Sequence, residues 1–228
     1  AHRGFAGENP ENTVAAAEAA AGVRGRAAGD ESTDRPADLI EIDVVPTGDG
    51  DVVVFHDDGL AERDGGTRGL TDADGVVWET DTTTVTSAEV LNSGETVPRL
   101  STFVEAVPAD VGVDVELKNP GRTDLRFAEK LPGDELSERT AAWQPFVDRV
   151  VDTLDGHDNE FLFSSFYEGA LAAVREASSY AVAPVFWRSV EDGLAIARKH
   201  DAEAVHPPIE LIDGTPFHDE SGDVVGED

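Results

Sequence analysis

The segment Leu39-Ile40-Glu41-Ile42-Asp43-Val44-Val45 limits the fold of this chain more than any other. Apolar at every position but two, it reads as a strand buried on both faces, the kind found in parallel sheets covered by helices. Residues two apart on a strand share a face, so Glu41 and Asp43 project the same way. Burying such a pair is costly unless something positive sits between them. The pattern recurs in Val111 to Leu117, where Glu116 is followed two places on by Lys118.

Around these strands the chain alternates apolar runs with helical patterns. Strands are expected near Ala1 to Arg3, at 39–45, 111–118, 161–166, 182–187 and 203–206. Helices are expected at Thr13 to Gly22, with Asn12 or Thr13 as N-cap, at Leu100 to Val107, Trp143 to Leu154, Glu168 to Ala177 and Val190 to His200. Thr47-Gly48-Asp49-Gly50-Asp51 marks a turn into Val52 to Phe55, so a hairpin delivers His56. Residues 58–98 are polar and weakly periodic, and read as an irregular insertion. Strand and helix in alternation predict an α/β fold with parallel strands. Polar residues gathered at strand ends favour a TIM-type (β/α) barrel over an open doubly wound sheet. Six strands are two short of a closed barrel, so residues 1–228 are expected to be a single domain truncated before the last two strands.

Composition narrows the partners. Asp and Glu number 48 against 17 Lys and Arg, a net charge of -31, and the only lysines are Lys118, Lys130 and Lys199. Such a surface repels nucleic acid and anionic membrane. Its self-repulsion largely disappears in molar salt, where the Debye length is about 3 Å, which points to a halophilic source. With no cysteine there is no disulfide and no thiolate chemistry. No apolar run is long enough to span a bilayer. The expectation is a soluble cytoplasmic protein, with a removed leader left open and the oligomeric state undetermined.

Chemistry concentrates in a few motifs. His2-Arg3-Gly4, Glu41-Ile42-Asp43, Phe55-His56-Asp57 and Glu116-Leu117-Lys118 place two imidazoles, three carboxylates, an arginine and a lysine at the ends of separate strands. That inventory suits metal-assisted phosphoryl transfer.

Taken in order with Pro10-Glu11-Asn12-Thr13 and with Val54 and Val44 flanking their motifs, these segments resemble the glycerophosphodiester phosphodiesterase family. The likeness runs from residue 2 to about 120, with weaker agreement at Ser164-Ser165-Phe166. It implies a TIM-type barrel with an insertion after its second strand, matching residues 58–98. It also implies metal-dependent hydrolysis of small glycerophosphodiesters to sn-glycerol 3-phosphate and an alcohol, with Ca2+ or Mg2+ as cofactor. Counterparts of the family's last two strand motifs are missing.

On this reading Glu41, Asp43 and Glu116 are the metal ligands, since an all-oxygen set suits calcium or magnesium. The alternative is an ordinary acidic strand. His2 and His56 are the general acid and base, because a phosphodiester needs one proton removed and another supplied. The resemblance admits attack by the substrate's own glycerol hydroxyl, followed by opening of a cyclic phosphate. Arg3 and Lys118 are candidates to hold phosphate, although Arg3 has Glu11 and Lys118 a metal ligand as alternative partners. Glu11 and Asn12 orient the first loop or simply cap the helix. His206 is a candidate to line the pocket, whereas His157, His200 and His218 are expected at the surface. Trp187 and Phe166 form an apolar wall or ordinary barrel packing. Two other functions compete: a phospholipase D-like phosphodiesterase acting on lysophospholipids, which needs an apolar surface for the acyl chain, and a non-catalytic phosphate- or metal-binding barrel.

Overall fold

The computed structural model describes residues 1–23, 36–61, 70–187 and 189–212. One sheet organises them. Its strands are β1 (Leu39–Pro46), β2 (Val52–Val54), β3 (Gly112–Leu117), β4 (Phe161–Ser165) and β5 (Ala181–Pro184), in spatial order β2-β1-β3-β4-β5. All pairings are parallel except β1 with β2, the hairpin expected from the Gly/Asp turn. Two single bridges extend the parallel series. His2 pairs with Glu41 on one side, and His206 pairs with Val185 on the other. Six parallel strand positions therefore lie side by side in chain order, the six read from the sequence. The expectation that the chain stops before the last two barrel strands concerns residues 213–228, which lie outside the described set, as does His218.

Helices α1 (Val14–Ala20), α2 (Thr82–Ser87), α3 (Leu100–Glu105), α4 (Gly133–Leu154), α5 (Glu168–Ala177) and α6 (Val190–Lys199) complete the chain. Strand alternation sorts the two faces of the sheet. Ile40, Ile42 and Val44 of β1, Val113, Val115 and Leu117 of β3, and Phe161 and Phe163 of β4 join one buried cluster with residues of α1, α3, α4 and α5. Burial of this outer face is the main stabilising term, about 25 cal/mol per Å² of apolar surface. Glu41, Asp43, Asp114, Glu116 and Ser164 are left for the opposite, inner face.

Local choices follow from single residues. Thr13 caps α1, its hydroxyl accepting from the Ala16 amide at 3.2 Å. Helix α4 starts at Gly133, well before the expected Trp143, and runs through Pro145. Asp134 and Glu135 in its first turn favour the positive end of the helix dipole, while Phe146, Val147, Val150 and Val151 anchor the part beyond the proline. The described parts of the stretch 58–98, residues 58–61 and 70–98, are less irregular than expected. Asp81 caps the threonine-rich α2 by accepting from Thr84, and Leu60, Leu70, Val77, Val85, Val90 and Val97 make a second small core on Val45, Val53 and Phe55.

His200 is not at the surface. Its Nε2 lies 3.1 Å from the buried carboxylate of Glu168, which also pairs with Lys199 at 2.9 Å and accepts the Leu131 amide. This network ties the start of α5 to the end of α6. Lys199, Arg175 and other bases find partners in this way, although acids outnumber them.

Candidate active site

The inner face of β1 and β3 builds the site. Register sets Glu41 beside Asp114 and Asp43 beside Glu116. Oxygen atoms of Glu41, Asp43 and Glu116 all lie within 4.8 Å of one another. Like charges this close disfavour ionisation. Burial, followed by the charges of Asp43 and Glu116, holds Glu41 well above the usual carboxylate range. Asp43 goes the other way. Burial pushes it up, but Lys118, His56 and Arg3 together with an Asn12 hydrogen bond outweigh that and leave it below its ordinary value.

The first loop wraps over these carboxylates. The Arg3 amide donates to Glu41 Oε2 at 2.9 Å, and Asn12 Nδ2 donates to Asp43 Oδ2 at 2.9 Å. Arg3, Phe5 and Asn12 all have positive φ, an uncommon and strained choice for residues with a side chain. Gly4 can be nothing larger, because a Cβ there would stand 2.6 Å from that of Ala16. The Arg3 guanidinium reaches Glu11 at 2.9 Å and Asp43 at 3.1 Å. Lys118 lies 2.8 Å from Glu116 and 3.6 Å from Asp43. Both cations thus have the alternative partners recognised in the sequence. Burial lowers Lys118, yet Glu116 and Asp43 more than compensate and keep it charged.

The histidines flank this cluster. His2 Nε2 is 3.8 Å from Glu41, and the side chain is 69% exposed. Burial of the rest of the ring, helped by Arg3, holds its pKa below the ordinary value. His56 is more enclosed, with Nδ1 2.5 Å from Asp57. Asp57, itself buried, is the orienting partner that sequence reasoning passed over, although it adjoins His56. Asp114 was missed as well. It is 3% exposed and burial pushes its carboxyl up to about 6, against an opposing pull from His206. The signal for it was the two-residue spacing from Glu116.

Aromatic residues lie beside Lys118. Phe166 stacks on Phe127 with centroids 4.4 Å apart, and Lys118 Nζ sits 5.9 Å from the Phe166 ring centroid. Phe127 is 49% and Trp187 41% exposed. No helix among the described residues is long and apolar enough to cross a membrane.

Comparison with known proteins identifies the family. The glycerophosphoryl diester phosphodiesterase family matches residues 2–216. A phosphodiesterase from Oleispira antarctica, solved in complex with the product sn-glycerol-3-phosphate, is 25% identical, with a TM-score of 0.66 over 91% of this chain and 73% of that one. A glycerophosphodiester phosphodiesterase from Thermotoga maritima is 22% identical, with a TM-score of 0.58 over 91% of this chain and 71% of its own. One from Agrobacterium tumefaciens is 21% identical, with a TM-score of 0.56 over 90% and 82%. The last two show a shared fold. No curated protein matches the sequence significantly.

Proposed function

The chain belongs to the glycerophosphoryl diester phosphodiesterase family, an enzyme family for which a TIM-type barrel is expected, and from that premise we propose that it hydrolyses glycerophosphodiesters to sn-glycerol 3-phosphate and an alcohol with a divalent cation. One observation carries this reading: carboxylate oxygens of Glu41, Asp43 and Glu116 lie within 4.8 Å of one another, with His2 Nε2 3.8 Å from Glu41. The donor set fits a hard cation, calcium or magnesium. Glu41 Oε1 and Asp43 Oδ1 are buried without a hydrogen-bond partner, as ligands awaiting a positive charge are. When bound, the cation polarises the phosphoryl oxygens.

The chain's own groups do the rest. Arg3 and Lys118 offset charge on the phosphate. One imidazole takes the proton of the attacking oxygen and the other supplies the departing alkoxide, with Asp57 fixing the His56 ring. Asn12 and Glu11 orient Asp43 and Arg3. We place the protein in the cytoplasm and in a salt-rich source.

The exposed stack of Phe127 on Phe166 favours, as a second reading, a lysophospholipid substrate whose acyl chain covers it. A non-catalytic barrel has no use for two proton carriers beside one cation site. The deciding assay measures release of glycerol 3-phosphate from glycerophosphocholine and glycerophosphoethanolamine, before and after chelation and on readdition of calcium or magnesium. Turnover that survives exhaustive chelation sinks the cation's role, and no turnover on any diester sinks the activity.

A further inference from the structure

A second cavity, of about 320 Å³, opens where separate parts of the chain meet: the turn after β1 (Pro46 to Gly50), Trp78 in the insertion, Pro120 and Gly121 beyond β3, and Arg149 of α4. None of the residues proposed to bind metal or phosphate lines it. Its volume is at the lower end of the range for small organic ligands.

Two close approaches fix its walls. Gly50 has φ +89°, and a Cβ there would meet Arg149 Cζ, Nη1 and Nη2 at 3.1, 3.2 and 3.2 Å, so the guanidinium lies flat against the turn. Gly121 has φ +93°, and a Cβ there would stand 3.2 Å from Trp78 Cγ, so the indole packs on the loop beyond β3. A side chain at either glycine would push Arg149 or Trp78 away. Arg149 is thus held in place, yet among the described residues its guanidinium has neither a carboxylate nor a hydrogen-bond partner. Arg99, Arg139 and Arg175 all have carboxylate partners, in a chain with 48 acidic residues to choose from. The indole N–H of Trp78 likewise donates to no acceptor among the described residues. Two positioned donors around one cavity, both without acceptors, point to an anionic ligand.

Asp49, which also lines the cavity, narrows the choice. Hydrogen bonds from Thr82 and Thr47 hold its carboxyl down at about 2, so it is a charged acceptor at neutral pH. It repels an anion that has no proton to give. An anion that also carries hydroxyls can donate to Asp49 while its charge meets Arg149. We propose that this cavity binds a small anionic polyol, whose phosphoryl or carboxylate group pairs with Arg149 and whose hydroxyls donate to Asp49. The site is separate from the carboxylate cluster and stands whether or not the diesterase reading does.

Calorimetric titration of the whole protein in excess chelator, which leaves the carboxylate cluster without a cation, tests this with glycerol 3-phosphate, glycerate, inorganic phosphate and glycerol. One equivalent of glycerol 3-phosphate or of glycerate should bind, and the tighter of the two identifies the anionic group. Inorganic phosphate and glycerol should each bind at least about 10-fold more weakly, since each lacks one of the two recognised features. Arg149→Gln, and Gly50→Ala, which displaces the guanidinium without removing its charge, should each weaken binding by at least about 10-fold. Hydrogen exchange on the wild-type protein needs no variant to fold, and the ligand should raise protection at residues 77–79 and 120–121. No binding of either polyol anion overturns the site, and inorganic phosphate binding as tightly as both overturns the polyol. Protection confined to residues 2–12 and 41–43 would place the ligand in the carboxylate cluster and overturn the proposal. Because no diester is turned over in these measurements, their failure leaves the diesterase reading in place.

Discussion

Asn12 and Asp43 hold each other in both directions: the Asn12 amide nitrogen donates to Asp43 Oδ2 at 2.9 Å, and the Asp43 backbone N–H donates to Asn12 Oδ1 at 3.4 Å. A left-handed loop residue is thereby locked to the most buried carboxylate of the site. Asn12→Ala should weaken calcium or magnesium binding by about 10–100-fold, the usual scale for groups that orient a ligand. Calorimetric titration checks this, and unchanged affinity would mean that Asn12 serves the loop alone.

The proposed hydrolysis takes a proton from the attacking oxygen and gives one to the departing alkoxide, work that the proposal divides between His2 and His56. His2→Ala and His56→Ala should each lower kcat by roughly 100-fold or more while changing metal affinity less. Asp57→Asn should show a smaller fall, because it frees the His56 ring without removing it. Steady-state kinetics at saturating metal separates these effects, and a near-normal kcat in either histidine variant removes that residue from the mechanism.

Glu168 is a buried carboxylate whose burial raises its pKa, but hydrogen bonds from His200, the Leu131 amide and Lys199 prevail and leave it below the ordinary value. A depressed folded pKa means stability that is present above the unfolded pKa and lost as pH falls through the folded one. Glu168→Gln should therefore cost about 3 kcal/mol at pH 7, the low end of what removing one partner of a buried ion pair costs, since Lys199 is partly exposed. The gap between variant and wild type should close on acidification below about pH 4. Denaturant melts at both pH values test this, and a gap independent of pH would mean that packing rather than charge is lost.

The charge of -31 carries its own prediction. Raising potassium chloride from 0.1 to about 1 M shortens the screening length from about 10 to about 3 Å. The unfolding midpoint should then rise by at least about 4 °C, equivalent to roughly 1–2 kcal/mol for a chain of this size. A flat or falling midpoint would argue against salt adaptation.

Much of the site was legible because polar residues in an apolar strand stand out. Glu41 and Asp43 have no such neighbours within their own strand, and alternation alone puts them on one face. Asp114 obeys the same spacing but was overshadowed by the Glu116-Leu117-Lys118 motif, and its partner His206 is nearly a hundred residues away in sequence. Asp57 went unassigned because adjacency to His56 in sequence does not reveal a hydrogen bond. For the fold, β1 to β5 were visible as short apolar runs, whereas the start of α4 was hidden by Pro132 and Gly133, local helix breakers overridden by tertiary packing. The helical order within residues 70–98 was hidden by threonine, a poor helix former that becomes helical in α2 under the Asp81 cap.

The hairpin between β1 and β2 also bears on how the molecule assembles. Val44 meets Val54, and Pro46 meets Val52, across a turn of a few residues, while every other pairing in the sheet waits for a long crossover. Short loops close at little entropic expense and long ones slowly, so the hairpin beside Asp43 is expected to form first, and Glu116 to join when β3 docks. The proposed cation would then act as a clock for folding: the onset of its binding after dilution from denaturant should lag hairpin protection in pulsed hydrogen exchange and coincide with protection of β3.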